Sequence, residues 1–562
     1  MFAAAKWLKN LIIMGANIAT FQQKNNQISV EIQPGASLNF RGKKVKTTRD
    51  VLACLLDEMQ PINFSEYLET DEGDKTPQKH YIVVIIDEIL RIAERNAWDL
   101  CYKNGYLYAY NGEYWQAADK DEFRTFLGEA AQRLGYKDLE CRHYKFRNEL
   151  FNQFLAVANF PAPEPDKNKT LINLKNGTLE ITANNFQLRD FDKNDFLTYQ
   201  LNFEYDAKAD CPIFLDYLNK VLPDNDARRI LGEFIGYVFT RHLKLEKCLM
   251  LYGSGANGKS VFFDVMNALL GKENVSNFSL ANLGEEHNRA LIVNKLLNYG
   301  SEIRGKIEAD IFKQMASGEP IQARLKYAQS FITDQYAKLA FNANELPREV
   351  EHTNAYFRRF LIVPFEVTIP ENEQDKRLAE KVISNELPGV LNWVLIGLSR
   401  LLKQGKFSPC EAVRIAVENY RIESDSVALF LSENGYKPSL EGHKTLQELY
   451  SNYKDFCYEN GNKPLNNRNF AKRLRDGGYS LEKRNIGQIV FIEKWRKWRK
   501  WRQKNIFSLA LNQKKMSVLN VQVSCFRNYN DTKPINIGLM TFLNSKKYVP
   551  HVERLWLIND KN

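Results

Sequence analysis

The residues from 253 to 260 have types and spacing that suit phosphate binding: Gly-Ser-Gly-Ala-Asn-Gly-Lys-Ser. Glycines in such a loop let backbone N–H groups turn toward a phosphate, and the helix that follows adds partial positive charge. We predict that Lys259 contacts the β- and γ-phosphates of a nucleotide and that the Ser260 hydroxyl is a ligand of Mg²⁺. The alternative is a glycine-rich turn that binds nothing. The loop residues predicted to contact the nucleotide are Gly253, Ser254, Gly255, Ala256, Asn257, Gly258, Lys259 and Ser260.

Two polar residues follow apolar runs further along the chain. Glu302 comes after residues 296–300, and Asn344 comes after residues 339–343. If both runs are strands of an open α/β sheet, the two residues lie at its carboxyl edge, beside the loop. Glu302 is then placed to polarise the attacking water or to hold Mg²⁺ through water, and Asn344 to orient that water or the γ-phosphate. Each could instead be a surface residue at a strand end.

Arg358 and Arg359 stand directly before the apolar run 360–365. An arginine at this point can reach a nucleotide held by a neighbouring subunit and neutralise charge that develops during phosphoryl transfer. That use implies a site between the subunits of a ring. Alternatively the two arginines are structural or face DNA. The sequence does not distinguish which of the two would act.

The elements around these residues are predicted from apolar spacing. Residues 248–252 are typical of a short buried strand, and residues 260–270 of a helix. Aromatic residues around an Asn-Gly pair predict a hairpin over 106–115, and residues 172–181 predict a second one. The proline-rich run 161–165 indicates a linker.

The composition is that of a large globular protein, with 562 residues, 44% apolar and 26% charged. This length suits roughly three or four domains. The net charge of +10 suits a polyanionic partner. Eight cysteines and seven histidines show no metal-binding spacing, so we expect reduced, mostly buried thiols, no zinc site and a cytoplasmic location. No apolar run has the length of a membrane span, and the short run 11–14 is better explained by a helix than by a signal peptide.

The region 445–492 shows the order helix, turn, basic helix and two strands, which is typical of a winged-helix domain. The second helix is predicted over 466–475, with Asn466 or Asn467 as its cap. A winged helix that contacts protein is the alternative. The basic residues predicted to face DNA are Arg468, Lys472, Arg473 and Arg475.

Residues from about 80 to 493 resemble the primase–helicases of satellite phages, plasmids and poxviruses, whose motor is a superfamily 3 helicase of the AAA+ class. The resemblance rests on Leu174-Lys175-Asn176-Gly177-Thr178-Leu179, the loop 253–260, Ser301-Glu302, Asn344-Glu345-Leu346-Pro347 and Arg358-Arg359-Phe360 through Pro364-Phe365. It implies an α/β fold: an AAA+ P-loop ATPase core in three layers (α/β/α), an N-terminal helical α+β domain and a C-terminal winged-helix domain. It also implies a homo-hexameric ring that hydrolyses ATP with Mg²⁺ and moves along single-stranded and forked DNA. Primase or other replication proteins are the further partners that it implies.

In this family, the region equivalent to 318–327 forms a loop or hairpin that faces the central channel of the ring. The resemblance implies that Arg324 and Lys326 contact DNA phosphates and that Tyr327 stacks on a base or packs. The alternative is a solvated amphipathic hairpin.

The chain departs from the family at two points. Many relatives have two adjacent acidic residues where Ser301 here precedes a single Glu302, which leaves open which side chain supports Mg²⁺. Many relatives also have an N-terminal primase domain, for which residues 1–79 are too few. We therefore expect no primer synthesis by this chain.

These observations divide the chain into six predicted segments. They are an N-terminal segment of unknown role (1–79), a helicase-associated domain (80–165), a hairpin and helical collar (166–240), the motor (241–420), the winged helix (421–493) and a Trp/Arg/Lys strip with a tail of unknown role (494–562). The predicted function is that of an ATP-dependent DNA helicase in the replication of a phage, plasmid or other mobile element. The alternative is a nucleotide-gated initiator that binds DNA without translocating. A small-molecule P-loop kinase fits less well, because it needs neither an arginine in trans nor a basic C-terminal domain.

Overall fold

The computed structural model describes residues 47–68, 76–103, 105–160, 166, 169–241, 243–300, 308–326, 329–347, 350–485 and 487–494. The chain divides into two compact units, residues 1–420 and 421–562, and each is described by itself. This division lies where the sequence predicts the motor to end. Glu302, Tyr327, the proline-rich run 161–165, the predicted N-terminal helix and the strip 495–502 all lie outside the described residues.

The first unit contains fifteen described α-helices and thirteen strands, if a helix that extends to Ser424 is counted with it. The helices are α1 (Thr48–Glu58), α2 (Phe64–Leu68), α3 (Gln78–Arg95), α4 (Lys120–Arg133), α5 (Asp138–Arg142), α6 (Tyr144–Val157), α7 (Pro212–Val221), α8 (Asn225–Val238), α9 (Lys259–Leu270), α10 (Glu286–Leu291), α11 (Ala309–Ser317), α12 (Asn354–Phe357), α13 (Leu378–Asn385), α14 (Leu387–Gln404) and α15 (Glu411–Ser424). The strands are β1 (Asp99–Lys103), β2 (Tyr106–Tyr110), β3 (Trp115–Ala118), β4 (Thr170–Leu174), β5 (Gly177–Ile181), β6 (Phe186–Arg189), β7 (Cys248–Tyr252), β8 (Val275–Ser276), β9 (Leu297–Gly300), β10 (Ile321–Ala323), β11 (Phe331–Thr333), β12 (Lys338–Ala343) and β13 (Phe360–Pro364).

A helical core lies in the N-terminal part of this unit. The helix α3 buries Ile82, Ile85 and Ile89, which recur at helical spacing along one face. The helix α1 buries Val51 in the same core. The predicted boundary at residue 79 therefore separates residues that share one core. The sequence did not predict α1, because its apolar face is short and lies between polar stretches.

Both predicted hairpins are confirmed, and each gains a third strand. Strands β2 and β3 pair antiparallel, with Tyr110 opposite Trp115, and β1 pairs with β2. Strands β4 and β5 pair with Leu174 opposite Gly177, and β6 pairs with β5.

A parallel sheet forms the centre of the unit, in the order β13-β7-β12-β9-β8. Strand β7 lies between β12 and β13 and is buried on both faces. Leu249 and Leu251 belong to one apolar cluster, whereas Cys248 and Met250 belong to another. Alternate side chains of a strand point to opposite faces, so the sheet has a core on each side, as in α/β proteins. The carboxyl ends of β7 and β12 therefore meet at one edge.

The second unit is a small α+β domain. It contains α16 (Ser426–Glu433), β14 (Tyr436–Thr445), α17 (Leu446–Glu459), α18 (Asn467–Asp476), β15 (Leu481–Arg484) and β16 (Gly487–Lys494). The strands form an antiparallel sheet in the order β14-β16-β15, and Phe430, Tyr453 and Phe470 lie in the core. Asn466 caps α18, accepting a hydrogen bond from the Asn469 N–H at 2.8 Å. Strand β14 was not predicted, because its residues are largely polar and its pairing is interrupted between Pro438 and His443.

Among the described residues, no helix combines the length and the apolarity needed to cross a membrane. Of the cysteines in that part of the chain, Cys54 is half-buried and the other six are buried.

Candidate nucleotide site

The loop between β7 and α9 has the strand–loop–helix setting that the sequence predicts. Gly258 begins the helix with a φ of +85°, a left-handed conformation that favours glycine. A Cβ atom at this position would lie 2.8 Å from a Val221 methyl group and 3.0 Å from the Tyr217 ring. The Tyr217 hydroxyl donates a hydrogen bond of 2.6 Å to the Gly258 carbonyl. The helix α7 therefore packs against the loop through Tyr217, a residue that no sequence pattern identified.

The side chain of Lys259 lies buried inside the loop, with 6% of its surface exposed. Its ammonium donates to the Oδ1 atoms of Asn344 and Asn257, both at 3.2 Å, and to the Gly253 carbonyl at 2.5 Å. Burial lowers its pKa. Among the described residues no carboxylate pairs with this ammonium. The site therefore holds a buried cation whose partners are neutral, and a phosphate would supply the missing negative charge.

The conformation of the loop is fixed by contacts with the residues after β13. The Asn257 side chain donates to the Phe365 carbonyl at 3.0 Å and also to the Ser254 carbonyl. The Ile369 N–H donates to the Ala256 carbonyl at 2.9 Å. Asn257 thus accepts a hydrogen bond from Lys259 and donates one to Phe365, the residue after β13.

Asn344 and Ser260 border the loop on its open side. Asn344 directly follows β12 and is exposed apart from its contact with Lys259. Ser260 is exposed in the first turn of α9, and an added Cβ on Gly255 would meet no atom within 4 Å. These residues leave room for phosphates and present an oxygen that suits Mg²⁺. The other predicted metal-supporting residue, Glu302, lies outside the described residues.

The two adjacent arginines differ in environment. Arg359 is 7% exposed; its guanidinium donates to the Ser317 hydroxyl at 2.9 Å and to the Ala355 carbonyl. The Arg358 side chain is 55% exposed and pairs with Glu246 at 2.6 Å. Arg359 therefore has a structural environment, whereas Arg358 can be reached by another molecule.

The predicted channel segment contains a short hairpin of β10 and β11, with Ala323 opposite Phe331. Arg324 and Lys326 follow β10 and are exposed. The Arg324 guanidinium lies 3.6 Å from the Glu286 carboxylate, and the Arg324 side chain is 58% exposed. Both cations are therefore accessible to a ligand.

The basic helix α18 does not present all four of its predicted residues in the same way. Arg468, Lys472 and Arg475 are exposed. Arg473 is half-buried and lies 3.6 Å from the Asp425 carboxylate within the same unit. Three of the residues thus share access to solvent, and the fourth has a partner inside the domain.

Two families match parts of the chain. The family described as D5 N terminal like matches residues 84–223, and a family of unknown function, DUF5906, matches residues 251–359. The second match includes the whole phosphate-binding loop and both arginines.

Curated relatives match a little over half of the chain. The Putative helicase 121R of Invertebrate iridescent virus 3 is 23% identical over 356 residues, which are 55% of this chain and 36% of the relative. A Putative helicase of Acanthamoeba polyphaga mimivirus is 24% identical over 350 residues, with 56% and 36% covered. The matched part of the chain thus spans only 36% of the length of these relatives.

Solved structures of the NrS-1 C-terminal region align with 71% of this chain. The alignment with one apo structure covers 97% of that structure at 13% identity, with a TM-score of 0.43. A second apo form, designated A, gives 12% identity and a TM-score of 0.42 over the same shares.

Proposed function

We propose that this chain is an ATP-driven DNA helicase of the superfamily 3, AAA+ type. The observation that carries the proposal is the contact of 3.2 Å between the Lys259 ammonium and the Asn344 side chain. It joins the phosphate-binding loop to the carboxyl end of the neighbouring parallel strand, where a water that attacks the γ-phosphate would have to be oriented. Both viral relatives carry the name Putative helicase, which agrees with this proposal.

In the proposed site, Lys259 binds the β- and γ-phosphates and Asn344 orients water or the γ-phosphate. Ser260 and Glu302 support Mg²⁺, which neutralises phosphate charge when it is bound. Asn257 acts as a positioning residue, because it contacts Lys259 and anchors the loop to Phe365.

Of the two arginines, we assign Arg358 as the one that acts on a neighbouring subunit's nucleotide in a homo-hexamer. It is exposed, and its ion pair with Glu246 can be exchanged for a phosphate, whereas Arg359 is held by buried hydrogen bonds. Arginine binds carboxylates and phosphates with the same planar group, so such an exchange requires no new geometry.

Single-stranded DNA is proposed to contact Arg324 and Lys326 beside the hairpin β10–β11. The second unit is proposed to act as a winged helix that contacts DNA through Arg468, Lys472 and Arg475 of α18. Exposed lysines and arginines on one hairpin and one helix suit the phosphate backbone.

The direct test is ATP hydrolysis by the full chain with and without single-stranded DNA, together with strand separation on a forked duplex. We expect DNA to stimulate hydrolysis. The Lys259→Ala variant should lose at least about a hundredfold in turnover, as seen when a transition-state donor is removed. Lys145→Ala, a change at an exposed lysine on α6, is the matched control and should behave as the unaltered protein.

Strand separation distinguishes the helicase from an initiator that binds DNA without translocating. Hydrolysis that DNA leaves unchanged, together with no displaced strand, would refute the motor. DNA binding that depends on nucleotide but yields no displaced strand would establish the initiator instead.

A further inference from the structure

A cavity of about 380 Å³ lies at the edge of the parallel sheet opposite the phosphate-binding loop. Its lining includes Leu296, which precedes β9, and Lys338, the first residue of β12. It also includes residues of the two small antiparallel sheets, among them Lys103 of β1 and Thr170 of β4. The cavity is therefore enclosed by three sheets of the first unit and is separate from the loop 253–260, whose residues do not line it.

Lys103 is buried in the wall of this cavity, with 6% of its surface exposed. Its ammonium lies 3.8 Å from the centre of the Phe196 ring and 5.7 Å from that of Phe160. It makes no hydrogen bond or ion pair with any described residue. Burial lowers its pKa, and the nearby Arg241 adds to this effect. An aromatic ring alone compensates little of the loss of water around an ammonium.

Lys338 is a second lysine of the lining, and its side chain is half-buried. Its ammonium lies 4.1 Å from the centre of the Tyr237 ring, again without an ion pair or a hydrogen bond to the described residues. Burial lowers its pKa to about 8, and Lys244 contributes in the same direction. Two lysines that are 235 positions apart in sequence thus line the same cavity.

Two acidic residues of the cavity lining are paired with other cations. Glu180 pairs with Lys169 at 2.7 Å and with Arg189 at 3.2 Å, and Asp195 pairs with Arg189 at 2.8 Å. The other charged residues of the described lining are Arg241, Lys295, Asp166 and Asp334. Positive charge is therefore in excess, and the buried Lys103 lacks the counter-charge that buried cations normally have.

We propose that this cavity is a second anion site, in which the lining lysines Lys103 and Lys338 bind a phosphate compound. The proposal goes beyond the function assigned above, since it uses none of the nucleotide-site residues. Lysine is a common phosphate ligand, and the volume lies in the range of small-molecule sites. The phosphate belongs either to a free compound such as a nucleotide or to the backbone of single-stranded DNA.

The test is binding of two probes to the full chain carrying Lys259→Ala, so that neither hydrolysis nor the loop contributes. Inorganic pyrophosphate is titrated by calorimetry, and a fluorescent oligothymidylate is titrated by anisotropy. Lys103→Met and Lys338→Met remove each charge while keeping side-chain length. We expect each change to weaken binding of at least one probe by about tenfold or more, the usual effect of losing a hydrogen bond to a charged group.

Lys145→Met removes one positive charge from an exposed position on α6 and is the matched control. A loss confined to pyrophosphate identifies a free phosphate compound, and a loss that includes the oligonucleotide identifies the DNA backbone. The melting temperature of Lys103→Met should not fall, because a buried cation without a partner is replaced by an apolar chain. Unchanged affinity for both probes overturns the proposal. If Lys103→Met does not fold, Lys338→Met decides alone.

Discussion

Arg358 and Arg359 are neighbours in sequence whose side chains have different environments. The Arg359 guanidinium is buried against Ser317 and the Ala355 carbonyl, whereas the Arg358 guanidinium is exposed beside Glu246. No property of either residue type predicts this difference. It depends on which side chain points inward as the chain passes from α12 into β13.

We predict opposite consequences for the two alanine substitutions. Arg359→Ala should lower the free energy of unfolding by about 2 kcal/mol or more, because it leaves buried partners without a hydrogen bond to a charged group. Arg358→Ala should change it by less than about 1 kcal/mol, as is usual for exposed ion pairs, but should abolish DNA-stimulated hydrolysis. Urea denaturation and ATPase assays on the same preparations measure both. A stable, active Arg358→Ala protein would contradict the assignment.

Lys338 should give the stability of the protein a measurable pH dependence. Its pKa is about 8 when folded and near 10.5 when unfolded. Between these values the unfolded chain binds more protons at this site, so the contribution of Lys338 to stability rises with pH. Below pH 8 the lysine is charged in both states, and its burial penalty applies in full.

The measurement is the difference in unfolding free energy between the unaltered protein and Lys338→Met, from urea denaturation between pH 7 and 10. We expect the unaltered protein to gain stability relative to the variant as the pH rises above 8. Since all other titrating groups are shared, two parallel profiles would show that the ammonium is not destabilised by burial.

Among the helices and strands, those that depend on interactions between residues close in sequence were predicted from local sequence patterns. The strand–loop–helix around residues 253–260 and both hairpins were predicted from the sequence. The cap of α18 was predicted at Asn466 or Asn467, and it is Asn466. Strand β14 was not predicted, because its sequence is polar and does not show a strand pattern. It forms through its pairing with β16, which is irregular between Pro438 and His443. The contact of Tyr217 with Gly258 was also missed, because it joins residues from separate elements.

The helix α18 offers a test of the proposed DNA contacts. Lys472→Gln should weaken DNA binding and reduce the slope of log affinity against log salt by about 1, as expected for one lost phosphate contact. Arg473→Gln should leave that slope unchanged and instead lower stability, because Arg473 pairs with Asp425. Anisotropy titrations across salt concentrations provide the slopes, and thermal melting provides the stability. Equal slopes for the two variants would exclude the exposed side of α18 as the DNA-contacting surface.

For the whole molecule, the proposed arginine in trans implies that no single subunit contains a complete active site. We predict that Lys259→Ala and Arg358→Ala are each inactive alone, and that mixing them restores part of the ATPase activity. Restoration is expected because some interfaces then combine an intact loop with an intact arginine. Hydrolysis is measured over a series of mixing ratios, with the unaltered protein diluted by either variant as the reference. No recovery at any ratio would mean that the site lies within one chain.

The apolar cluster on one face of the parallel sheet contains Leu174 and Leu179 of the hairpin β4–β5, Phe234 of α8 and Leu251 of β7. The two family matches end at residue 223 and begin again at residue 251, so this cluster draws on both matched regions and on the segment between them. A recombination event that exchanged only residues 251–359 would join two parts of one apolar core that had not evolved to pack together. Evolution of this lineage should therefore have transmitted the hairpin, the helices and the sheet as one heritable block, whatever was added at either end.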